Sequence, residues 1–134
     1  MHTLRRGITL VETLIAMAII ALLVFVAVPA YHDYSVRAHV GDLLMATASA
    51  RVALSEGMKS HHSWSAAWVS QVSISSTGIV ASASVDGASG TIFVSGTAPS
   101  SGSIITVTPR VAGDRTVTWT CRGTPLRYMP SACR

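Results

Sequence analysis

Glu12 sits inside an apolar run that extends from Ile8 to Tyr31, and it is the residue whose type and setting most demand a chemical role. A carboxylate at the centre of a membrane-spanning segment costs about 2.5 to 3.5 kcal/mol, so it marks pairing or function unless it lies close enough to one end to reach the headgroups. Glu12 is one turn into the run, and position alone leaves both readings open. Near the other end of the sequence, Arg110, Arg115, Arg122, Arg127 and Arg134 fall within 25 residues, with no lysine among them and Asp114 as the only acid there. Guanidinium groups grip phosphates at two points, and backbone charge dominates DNA affinity, so a DNA-binding end is one reading. The other is that these arginines join copies of the chain or keep the surface soluble. Five charges spread over two β elements need not converge, and this second reading is preferred.

The remaining candidates for chemistry are weaker. His61 and His62 are adjacent, so they share a face neither on a helix nor in a strand, and no metal is expected there. No serine lies in a Gly-x-Ser-x-Gly elbow, and the sequence holds no P-loop, dinucleotide fingerprint or His-Glu-x-x-His helix. No catalytic residue, metal or cofactor is therefore expected. Trp64 and Trp68, four apart, would share one side of a helical turn, as a surface aromatic patch or as a plug between helix and sheet. Core packing, for these two and for Trp119, is the preferred reading, because a sheet rich in Ser and Ala needs large side chains somewhere.

The element that must position Glu12 is long and apolar. A spanning helix needs about 20 apolar residues to cross ~30 Å of hydrocarbon, and Ile8 to Tyr31 supplies them. Val28-Pro29-Ala30 could pass for the cut site of a secretory signal, but such signals have apolar cores of about 7 to 15 residues, shorter than this one. Pro29 lacks an amide donor and its ring clashes with the preceding turn, which predicts a kink without ending the helix. Beyond it, Val36, Val40, Leu43, Ala50, Leu54 and Met58 recur at steps near three, four and seven and predict one apolar stripe lying on a sheet. Gly57 is the expected helix stop.

Arg5-Arg6-Gly7-Ile8-Thr9-Leu10-Val11-Glu12 resembles the processing site of type IV prepilins. Pro29 to Ala38 is similar to the segment after the hydrophobic half of the pilin helix. Trp119-Thr120-Cys121 and Arg127 to Arg134 resemble the disulfide-bounded end of type IVa major pilins. The resemblance implies a leader, residues 1–7, removed by a prepilin peptidase between Gly7 and Ile8, with N-methylation of Ile8. It implies a hydrophobic membrane and filament-core helix, 8–34, and a globular head, 35–134. Glu12, fifth after the cut, would meet the terminal amine of a neighbouring subunit. Partners implied are further copies of the chain in a helical polymer, the peptidase that is also the methyltransferase, the assembly machinery of the bacterial inner membrane, and a host surface or DNA. The implied location is the inner membrane before assembly and a surface filament after it. The function implied is the structural subunit of a fibre for adhesion, twitching motility or DNA uptake, with a DNA-binding minor pilin as the alternative.

Composition agrees with that frame. Without Arg5 and Arg6 the chain holds 8 basic and 6 acidic residues, too mild a balance to demand a nucleic-acid partner. Cys121 and Cys133 lack the spacing of a redox motif and the ligand number of a zinc site, and with export accepted a disulfide between them is expected. The fold expected is α+β: one long helix, then four or five short antiparallel strands. Val72 and Ile74 mark a weak first run. Ile79, Ala81, Ala83 and Val85 alternate in a second, closed by Asp86-Gly87. Gly90 to Gly96, Ile104 to Thr108 before Pro109, and Thr116 to Cys121 are the others.

Overall fold

The computed structural model describes residues 8–76 and 78–134. Arg5, Arg6 and Gly7, and with them the expected leader, lie outside the described residues. Two compact units divide at Tyr34 and Ser35.

The first unit is helical. Helix α1, Leu10–Met45, starts just after Thr9, whose hydroxyl accepts a hydrogen bond from the Glu12 amide at 3.2 Å. It continues through Pro29, as expected of a proline that need not stop a helix. Residues 8–32 are all exposed. From Leu10 to Ala30 the axis runs about 31 Å at the helical rise, and by length and composition this helix can cross a membrane.

The second unit, Ser35–Arg134, holds the rest of α1 and everything that follows. Helix α2, Ala48–His61, follows a two-residue turn at Ala46 and Thr47. The predicted stripe is the buried one: Val36, Val40, Leu43, Ala50, Leu54 and Met58 all enter the core. The gap between Leu43 and Ala50 is filled by Thr47, fully buried because its hydroxyl donates to the Leu44 carbonyl at 2.7 Å. Facing the stripe are Val80, Ile92, Val94, Ile105 and Val107 from the sheet.

The sheet is a four-stranded antiparallel meander of β1 (Val80–Val85), β2 (Ile92–Gly96), β3 (Ile104–Val111) and β4 (Val117–Thr124), in that spatial order. The Val72 and Ile74 run is not a strand; both side chains pack against the core from an irregular segment. In β1 the register shifts between Val80 and Ser82. The bulge moves Val80 into the core and turns Ala81 outward, breaking the alternation read from Ile79 to Val85. Strand β3 runs past Pro109 to Val111, because β2 accompanies it only as far as Val107. Beyond that point β3 is paired on one side, where a missing N–H need not break a ladder. Strand β4 likewise extends to Thr124, where it pairs with Ile104.

Gly57 does not stop α2. The helix ends at His61, and the capping residue His62 takes the left-handed conformation and sends its N–H to the Met58 carbonyl. The glycine is there for contact: a Cβ on Gly57 would run into the Trp68 ring. That ring stacks on Trp64 at 5.5 Å and on His61 at 5.2 Å, and its indole N–H donates to the Ser63 carbonyl at 3.1 Å. Trp64, Trp68 and Trp119 are half-buried against the core, in keeping with the packing role. Gly57→Ala sets a helix-propensity gain of about 1 kcal/mol against an overpacking cost of about 1 to 3 kcal/mol. With Trp68 held on several sides the collision dominates. Thermal melting of this variant is expected to show lower stability; a raised midpoint would mean the ring is free to move.

Candidate functional site: assembly helix and C-terminal arginines

The start of α1 gathers the residues expected to act in processing and assembly. Ile8 is exposed, and Glu12 lies in the first helical turn with its side chain exposed. Gly7, the other side of the expected cut, lies outside the described residues. Thr9 was not among the residues singled out, yet it caps the helix through the Glu12 amide. The signal was legible as Thr-x-x-Glu before an apolar run, the pattern of a capping box. Glu12 therefore has a local role as well: a carboxylate in the first turn meets the positive end of the helix dipole. Along the same helix Leu10, Phe25 and Tyr31 are 74%, 81% and 74% exposed, and Leu, Ile, Val and Met side chains between them are similarly bare. A cylinder this apolar needs a lipid or protein surround.

The C-terminal segment is tied down by the Cys121–Cys133 disulfide. Cys133 and Met129 are both buried in the core, and short 3-10 turns at Leu126–Tyr128 and Ser131–Cys133 join them to β4. On β4, Trp119 donates its indole N–H to Ser55 Oγ at 3.3 Å, linking the strand to α2.

The five expected arginines do not form one cluster. Arg110 pairs in register with Thr118, beside the hairpin turn that holds Arg115, whereas Arg122 pairs with Thr106, four steps or about 13 Å further along the ladder. The hairpin also carries an acid. Asp114 accepts the Thr116 amide at 3.0 Å and the Thr116 hydroxyl at 2.8 Å, and these two bonds, the amide first, hold its carboxyl below the ordinary range. A charged acid thus stands in the turn beside Arg115. Arg127 lies over the Tyr128 ring at 5.4 Å. Arg122 and Arg134 line two grooves in common, one with Ile104, Thr106 and Leu126 and one with Trp119 and Arg51 from α2.

Comparison with known proteins places this architecture. Residues 36–134 match the family described as pilin (bacterial filament), and residues 3–28 match the prokaryotic N-terminal methylation motif. A type IV major pilin protein PilE1 of Neisseria gonorrhoeae is 39% identical over 64 residues, 48% of this chain and 39% of that protein. The fimbrial protein EcpC of Eikenella corrodens is 28% identical over 140 residues, 97% of this chain and 91% of that protein. The type IV major fimbrial protein FimA of Dichelobacter nodosus is 37% identical over 54 residues, 40% of this chain and 35% of that protein. The match to the Neisseria relatives thus spans less than half of their length. The pilin match alone covers most of the sequence and takes in the whole sheet, the second helix and the disulfide. The chain belongs to the pilin family of bacterial filament proteins.

Proposed function

We propose that the chain is a structural subunit of a type IV pilus that polymerises through its N-terminal helix. The observation that carries this reading is the bare apolar surface of residues 8–32 at the start of α1. One surface of that kind suits two surroundings, lipid before assembly and copies of itself after. Residues 1–7 are the leader, 8–34 the membrane and filament-core helix, and 35–134 the head. A prepilin peptidase cuts between Gly7 and Ile8, Ile8 is methylated, and inner-membrane machinery moves the subunit into a surface fibre. The work is mechanical, with no reaction of its own. The named relatives are major pilin and fimbrial proteins, which supports a plain fibre subunit ahead of a DNA receptor.

Processing tests this directly. Gly7→Val puts a branched side chain at the residue preceding the cut and is expected to accumulate the uncut chain and abolish fibres that contain it. Intact-mass analysis of the exported wild-type chain should give a terminus at Ile8, one methyl group heavier than the bare peptide. A terminus at Tyr31 would make the apolar run an ordinary secretory signal and remove the filament reading. Electron microscopy of cells lacking the chain then separates a major subunit, where all fibres vanish, from a minor one.

A further inference from the structure

We infer that Tyr31 and Tyr34 anchor α1 in the lipid headgroup layer on the far side of the membrane, and that this anchor sets the depth of Glu12 before assembly. The inference rests on the reading of residues 8–34 as a membrane helix and adds the level at which that helix is held.

Both tyrosines are exposed, and three residues apart they share one side of the helix. Neither makes a hydrogen bond among the described residues. A phenol joins an apolar ring to a polar tip, and such side chains collect where hydrocarbon meets water. The surrounding sequence places that boundary at the same level. Between Ile8 and Ala30 the one ionisable side chain is that of Glu12, whereas His32 and Asp33 follow Tyr31 directly. Phe25, also exposed but wholly apolar, lies about 9 Å further in along the axis. Arg5 and Arg6 precede the run, and basic flanks stay on the cytoplasmic side, which assigns the tyrosines to the other leaflet.

Helical rise then fixes the position of the carboxylate. Glu12 is about 28 Å from Tyr31 and about 33 Å from Tyr34 along the axis. The hydrocarbon is about 30 Å thick, and an average tilt of about 20° shortens the helical span by only ~2 Å. Tyrosines that straddle one boundary therefore bring Glu12 to the other. Sliding the helix one turn toward the head would draw the Glu12 carboxylate into hydrocarbon, and one turn the other way would draw in Asp33. The two readings of Glu12 thus apply at different times: it is solvated while the subunit waits in the membrane and loses that water only on packing among other helices.

The test places the processed full chain in phosphatidylcholine vesicles brominated either near the headgroup or near the bilayer centre. Tyr31→Trp, Tyr34→Trp, Phe25→Trp and Leu14→Trp each add one indole, and the wild-type chain supplies the background of Trp64, Trp68 and Trp119. Shallow bromine should quench the added indole more than deep bromine in the two tyrosine variants and in Leu14→Trp, with the order reversed in Phe25→Trp. The tyrosine pair is then moved one turn along the helix by Ala27→Tyr/Ala30→Tyr/Tyr31→Ala/Tyr34→Ala. The Leu14→Trp indole should follow it inward, by about 6 Å. Wild-type chain that fails to float with the vesicles would sink the membrane reading itself. If it floats but the indoles of Tyr31→Trp and Tyr34→Trp show no preference for shallow bromine, the anchor alone is overturned. A Leu14→Trp indole that stays in place when the pair is moved would overturn its control of Glu12. Melting of the head in each variant keeps loss of fold separate from change of depth.

Discussion

A Glu12→Ala subunit is expected to fold, to stay in the membrane and to be nearly absent from fibres. The Glu12 side chain is exposed and is not part of the head core. The Thr9 cap uses the backbone amide of residue 12, which alanine keeps. Folding therefore loses only the favourable placement of a carboxylate at a helix start, about 0.3 to 1 kcal/mol. Assembly loses far more. In a packed core of apolar helices, a terminal amine deprived of its carboxylate partner is an uncompensated charge, which costs about 3 to 5 kcal/mol. Tenfold per 1.4 kcal/mol makes this a fall of roughly 100-fold or more in incorporation. Glu12→Gln sharpens the experiment, because glutamine also serves in a capping box but carries no charge. Co-expression with wild type, followed by mass spectrometry of sheared fibres and of membranes, gives the ratio. Equal incorporation of the glutamine variant would remove the electrostatic role.

Breaking the disulfide should have the largest effect on the head itself. Cys121→Ala/Cys133→Ala frees a loop spanning 12 residues, for which chain entropy alone predicts a loss of roughly 3 kcal/mol. For a unit of this size that lowers the melting midpoint by roughly 12 to 24 °C. The loss is large against the 5 to 15 kcal/mol, roughly, that holds a domain together. Alanine is the right replacement because Cys133 is fully buried, where a serine hydroxyl would add its own desolvation cost. Reduction of the wild type should reproduce the shift. A midpoint unchanged in both experiments would mean that packing of Met129, not the covalent link, secures the segment.

Patterns that depend on one element were legible in the sequence, and those that depend on two were not. The buried stripe from Val36 to Met58 follows from helical period alone, and the apolar length of α1 from composition. The end of β3 was misplaced because whether Pro109 costs a ladder bond depends on how far β2 reaches, a fact about a neighbour. Gly57 reads as a stop until Trp68 is seen to need its space. Thr47 reads as a polar interruption until its hydroxyl is found bonded within its own turn. Among the candidate residues, Glu12 and Ile8 announce themselves through local spacing, and Thr9 through the capping pattern. The arginines announce themselves by number only. That Arg110 and Arg122 lie on one face of the sheet, about 13 Å apart along β4, is decided by the pairing of β3 with β4.

The core takes two of its members, Met129 and Cys133, from beyond the last strand. A head that emerges amino end first, as from the ribosome, therefore acquires every strand before it acquires a complete interior. Until those final residues emerge, the space beside Gly123, which Met129 sulfur closely approaches, stands unfilled. Completion of the interior is thus tied to the last dozen residues, and a head clipped before them leaves Cys121 without its disulfide partner.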